Sequence, residues 1–120
     1  IIETVTIPIK KIDSFIDEKS IEKLDFVRMD VEGYEYGVIT NMIRYSREHD
    51  LMHLLPDQLQ LEFHYATWMY DLPWSLRTRT TGELVAFFSM LFREAGYVAV
   101  HFENQRWPTL REILFLRVYC

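Results

Sequence analysis

Cysteine is almost missing from this 120-residue chain, with Cys120 at the final position the only one. An internal disulfide and a cysteine-ligated zinc site are therefore excluded, and one thiol leaves the redox compartment open. No local basic group is in view to lower its pKa, so Cys120 reads as an incidental end rather than a nucleophile. Glycine is scarce too, at positions 33, 37, 82 and 96 only, with no Gly-x-Gly pair. These residues thus lack a glycine-rich turn of the kind that α/β folds use to hold a cofactor. Lys and Arg number 13 against 18 Asp and Glu, a formal net charge of −5. That balance argues against a nucleic-acid groove, which needs clustered cations to neutralise phosphates. No apolar run approaches the ~18 residues of a membrane span, and any targeting segment would precede Ile1. A small or neutral partner fits the charge better.

What the chain has is apolar and aromatic bulk: 49% hydrophobic residues, including eight Phe, seven Tyr and three Trp. That suffices for one modest core and is too little for two domains. An extended segment is predicted over residues 2–9, ended by Pro8. A short helix capped by Asp13 or Ser14 follows, with Phe15 and Ile16 toward the core. Leu24 to Met29 is nearly continuous in apolar character, which suits a buried parallel strand. From Glu35 the residues Val38, Ile39, Met42 and Ile43 recur at helical spacing. Leu59, Leu61 and Phe63 alternate with Gln60, Glu62 and His64, so the latter three share one face of a strand. Residues 65–79 form a long irregular stretch suited to a lid or binding segment. Thr80 and Glu83 make a capping box, the Phe87 to Phe92 stripe is core, and Gly96 closes that helix with a left-handed cap. Two further strands, Tyr97 to Phe102 and Ile113 to Tyr119, are joined too tightly to be anything but antiparallel.

The segment Leu24-Asp25-Phe26-Val27-Arg28-Met29-Asp30-Val31-Glu32-Gly33-Tyr34-Glu35 carries the most information. It reads as a strand that delivers Asp30, Glu32 and Glu35 to the edge of an α/β sheet, where open sheets bind ligands. Glu32 and Glu35 at a helix start would equally well offset the positive end of the helix dipole. If Asp30 and Glu62 end adjacent parallel strands, Asp30, Glu32, Glu62 and His64 converge on one rim.

The run Arg28-Met29-Asp30-Val31-Glu32-Gly33-Tyr34-Glu35 resembles the Lys-Ile-Asp-Val-Glu-Gly-x-Glu segment of the FkbM-type methyltransferases. Leu59-Gln60-Leu61-Glu62-Phe63-His64 is similar to that family's strand ending in Glu-x-His, and Gly96-Tyr97 with Glu112-Ile113-Leu114-Phe115-Leu116 to its closing strands. Val5-Thr6-Ile7-Pro8 running into Ile12-Asp13-Ser14-Phe15 matches the segment before the acidic motif. The resemblance implies an S-adenosylmethionine-dependent enzyme with a Rossmann-like class I methyltransferase sheet, mostly parallel with an antiparallel final strand. Since the glycine-rich turn is missing, residues 1–120 are expected to be a partial domain lacking the N-terminal cofactor-binding half. Two βαβ units, on the order of 60 residues, would then precede Ile1.

O-methylation of a small-molecule or glycan hydroxyl is the expected reaction, with no nucleic acid and no membrane span involved and the oligomeric state left open. His64, whose ordinary pKa is about 6.5, is the expected base, with Glu62 and Asp30 as catalytic partners. Glu62 or Glu32 would orient the imidazole ring or hold an acceptor hydroxyl. Asp30 and Glu32 are expected to bind cofactor, and Glu35, Trp68 and Trp74 to bind substrate. The bland alternatives stand beside these: His64 as a strand-end histidine bonded to a carboxylate, and Trp68, Tyr70 and Trp74 as residues pinning a loop. A divalent metal held by the same acids and imidazole is possible but not favoured. The rival from another class is a non-catalytic α/β binding domain built on the methyltransferase fold.

Overall fold

The computed structural model describes residues 4, 6, 8–31, 33–64, 79–104 and 110–118. Most of the expected first strand, Glu32, Trp68, Trp74 and the expected lid up to residue 78 lie outside them. In chain order the elements are α1 (Ile12–Glu18), β1 (Phe26–Met29), α2 (Glu35–Glu48), a 3-10 turn (Met52–Leu54), β2 (Gln58–His64), α3 (Thr81–Ala95), β3 (Tyr97–Asn104) and β4 (Leu110–Arg117).

The four described strands form one sheet in the order β1-β2-β4-β3. β1 runs parallel to β2 with Met29 opposite Leu61, and β4 lies antiparallel to both β2 and β3. Three strands therefore share one direction and the last runs against them, as expected. Because β4 inserts between β2 and β3, however, only one of the three strand pairings is itself parallel. The sheet is mixed rather than mostly parallel in its hydrogen bonding.

The alternation of β2 explains where the helices sit. Leu59, Leu61 and Phe63 are buried on one face, and Gln60, Glu62 and His64 are half-buried on the other. Phe63 is the hub of the buried face: its ring lies 5.7 Å from Tyr36 of α2, 5.7 Å and 5.4 Å from Phe87 and Phe88 of α3, and 6.0 Å from Phe115 of β4. These tilted and edge-on arrangements match the quadrupoles of aromatic rings. Both long helices thus cover the same side of the sheet, and an Arg47–Glu94 ion pair ties one to the other.

α3 begins with the predicted capping box, Thr80 Oγ1 accepting from the Glu83 N–H at 3.1 Å while Glu83 accepts from the Thr80 N–H at 2.8 Å. Gly96 ends it at φ 74°. A Cβ there would lie 2.7 Å from the Val118 carbonyl oxygen, so only glycine permits both the left-handed turn and the approach of the strand after β4.

Three local expectations are corrected. α1 starts with Lys11 at its cap and no side-chain capping bond, so neither Asp13 nor Ser14 caps it, and Phe15 is exposed. β1 is parallel, but among the described strands it lies at the edge of the sheet, and Phe26 is half exposed. Phe92 is 58% exposed although Phe87 is buried, because five residues turn a helix by about 140° past a full turn and carry Phe92 off the buried face.

Candidate functional site

β1 and β2 run side by side in one direction, so their carboxyl ends finish together. Asp30 follows Met29 directly at the end of β1, and Glu62 and His64 occupy the last turns of the pleat of β2. Donor atoms of Asp30, Glu62 and His64 all lie within 4.8 Å of one another. The convergence expected from the sequence is therefore present for these three; Glu32 falls outside the described residues.

The acids are close enough to share a proton. The Glu62 carboxyl is pushed up to about 7, first by its hydrogen bond with Asp30, then by burial and the Asp30 charge, with Glu112 adding and His64 opposing. Glu112 stands directly across β4 from Glu62 and is itself buried, hydrogen-bonded by Gln60 and paired with Arg28 at 3.3 Å. Like charges in such facing positions repel, and a proton on Glu62 relieves the repulsion. A carboxyl that titrates near neutrality is suited to accept or give a proton. Alternatively, one divalent cation would find three donors here, two oxygens and one nitrogen, an acceptable set for such an ion.

A folded value raised above the ordinary 4.5 means that the ionised form of Glu62 is the disfavoured one. Stability linked to this group is full below about 4.5 and declines as pH rises through about 7. Glu62→Gln fixes the neutral form. Thermal melts across pH should show the variant gaining on the parent as pH rises, to about 1 kcal/mol above neutrality after solvent screening. Equal pH dependence in the two proteins would mean that Glu62 carries no raised value.

The first turn of α2 holds His64. Glu35, at the first helical position, has no exposed surface. Its Oε2 accepts the Gly33 N–H at 2.8 Å, and its Oε1 accepts the His64 backbone N–H at 2.7 Å and lies 3.1 Å from His64 Nδ1. Gly33 reaches this position at φ 97°, a backbone region closed to residues with a Cβ. The next residue, Tyr36, donates its hydroxyl to the His64 carbonyl at 3.1 Å, and the Arg79 guanidinium lies 4.3 Å over the Tyr36 ring. Glu35, expected to bind substrate, is buried, and its two oxygens accept the Gly33 and His64 backbone N–H groups. Tyr36 and Arg79 were not singled out in the sequence. The only available signal was that both follow acidic or loop segments that the fold brings to this rim.

The sequence profile described as "Methyltransferase FkbM domain" matches residues 1–99. No curated protein and no solved structure matches the chain significantly. The matched span contains β1, β2, Asp30, Glu35, Glu62 and His64, and the mixed four-stranded sheet is compatible with a methyltransferase-like fold. With most of its length matched, the chain belongs to the FkbM methyltransferase domain family, and its activity is expected to be methyl transfer.

Proposed function

We propose that this chain serves S-adenosylmethionine-dependent O-methylation of a hydroxyl on a small molecule or glycan, at the rim where β1 and β2 end. The observation that carries the reading is the meeting of Asp30, Glu62 and His64 within 4.8 Å at the carboxyl ends of two parallel strands. The described sheet is read as the carboxyl-terminal part of a Rossmann-like class I methyltransferase sheet. Its strand directions and the position of β1 at an edge, where a further parallel strand could pair, support that assignment.

The residues present suit the cofactor's polar groups. S-adenosylmethionine carries an ammonium and a sulfonium charge as well as ribose hydroxyls, and exposed Asp30 beside half-buried Glu62 offers acceptors of the right sign. Asp30 and Glu32 are assigned to holding it. When bound, the cofactor supplies an electrophilic methyl group. His64 then takes the proton of the acceptor hydroxyl as the oxygen becomes nucleophilic, and Glu62, protonated in part at neutral pH, orients that hydroxyl. Trp68 and Trp74 are assigned to the acceptor pocket.

A second reading has a specific observation behind it: the same three donors could hold a divalent cation that polarises the acceptor oxygen. Incubation with methyl-labelled S-adenosylmethionine and a panel of polyols and glycans separates the possibilities. Label is expected on oxygen, and exhaustive chelation is expected to leave transfer intact. Loss under chelation that Mg²⁺ restores would favour the metal reading. An absence of transfer to any hydroxyl would favour the non-catalytic binding domain.

A further inference from the structure

We infer that Glu35 is a positioning residue that fixes His64 in the Nδ1–H tautomer, making Nε2 the unprotonated nitrogen and hence the one that would take the proton of an acceptor hydroxyl. As a contribution to catalysis this rests on the role proposed above for His64; as a statement about the imidazole it does not. The geometry has three parts. Glu35 is fully buried, and each of its oxygens already accepts a backbone N–H, one from Gly33 and one from His64. Because Oε1 acts as an acceptor toward the His64 backbone at 2.7 Å, the ring nitrogen that meets it at 3.1 Å is the one that carries the proton. The backbone of His64 is gripped on both sides by successive residues of α2, its N–H by Glu35 and its carbonyl by Tyr36, so the ring has a fixed origin from which to point. Which nitrogen of a histidine does chemistry is set by the partner of the other one, and a buried carboxylate is a well-known partner of that kind at catalytic imidazoles.

A merely structural Glu35 would anchor the end of β2 without selecting a tautomer, and that difference is measurable. In protein labelled with ¹⁵N at histidine, long-range proton–nitrogen spectra taken where the ring is neutral report which nitrogen bears the proton. For the unmodified chain the expected pattern is a protonated Nδ1 and an unprotonated Nε2 at His64, with cross-relaxation from the Nδ1 proton to the Glu35 side-chain protons. In Glu35→Ala the pattern should reverse toward the Nε2–H form that free imidazole side chains prefer. An Nε2–H ring in the unmodified chain, or an unchanged Nδ1–H ring in Glu35→Ala, would overturn the inference. Should Glu35→Ala fail to fold, the tautomer and the cross-relaxation of the unmodified chain decide the matter by themselves. None of these readouts requires turnover, so a failure of methyl transfer with the tautomer intact strikes the proposed reaction and not the positioning.

Discussion

Phe63→Ala is expected to destabilise the chain by about 3–5 kcal/mol, the largest single stability effect foreseen for any residue of the fold. Phe63 is 1% exposed and its ring touches aromatic partners on α2, α3 and β4, so its removal opens a cavity walled by three separate elements. Such walls collapse poorly because each belongs to a different rigid segment, and the cost of the void adds to the lost transfer free energy. The site would suffer with the core. Phe63 precedes His64 directly, and Tyr36 both packs on Phe63 and donates to the His64 carbonyl. Chemical denaturation is the appropriate measurement. A loss below about 1 kcal/mol would show that the two helices do not depend on this ring for their seat on the sheet.

His64→Ala is expected to lower turnover with a hydroxyl acceptor by about 10²–10⁴-fold while leaving cofactor affinity nearly unchanged. The side chain is 11% exposed and shares the rim with Asp30 and Glu62, whereas the groups assigned to the cofactor are the carboxylates. A drop in turnover without a matching loss of binding is the signature of an interaction made in the transition state. Unchanged turnover would remove His64 from the base role, and Glu62, with its carboxyl near 7, would be the remaining group suited to it.

The parts of the fold that were legible in the sequence are those fixed by local chemistry. α3 announced both ends, through Thr80 and Glu83 at one and Gly96 at the other, and β2 announced its faces through strict alternation. The direction of β4 followed from a connection too short for a crossover. What was misread depended on neighbours. Asp13 and Ser14 are good capping residues by type, yet the chain enters α1 before reaching them, and a helix of seven residues with none buried gives the sequence little to signal. Leu24 to Met29 looked like an interior strand because apolar runs are compatible with burial on both faces, while only pairing partners decide whether a strand is central.

The candidate site divides along the same line. Asp30 and His64 were placed at one rim because parallel strands finish together, a consequence of topology that two motifs sufficed to suggest. The contact of Glu35 with His64 was not legible, since an acid at a helix start has an adequate local explanation in the helix dipole. Its actual partner lies 29 residues away in the chain and meets it only when β2 is docked beside α2. Arg79 reaches the ring of Tyr36 in the same way, from the far side of the long segment that separates β2 from α3.

The most direct test of the account is an amide proton–nitrogen titration of this chain with S-adenosylmethionine, because chemical-shift changes detect even weak binding. The predicted outcome is a set of shifts that saturates and is confined to Asp30, residues 33–36 and residues 62–64, and that Asp30→Ala largely abolishes. Shifts that leave those residues untouched and gather instead in the cleft between α1 and α2, lined by Ile16, Asp17, Met42 and Tyr45, would contradict it.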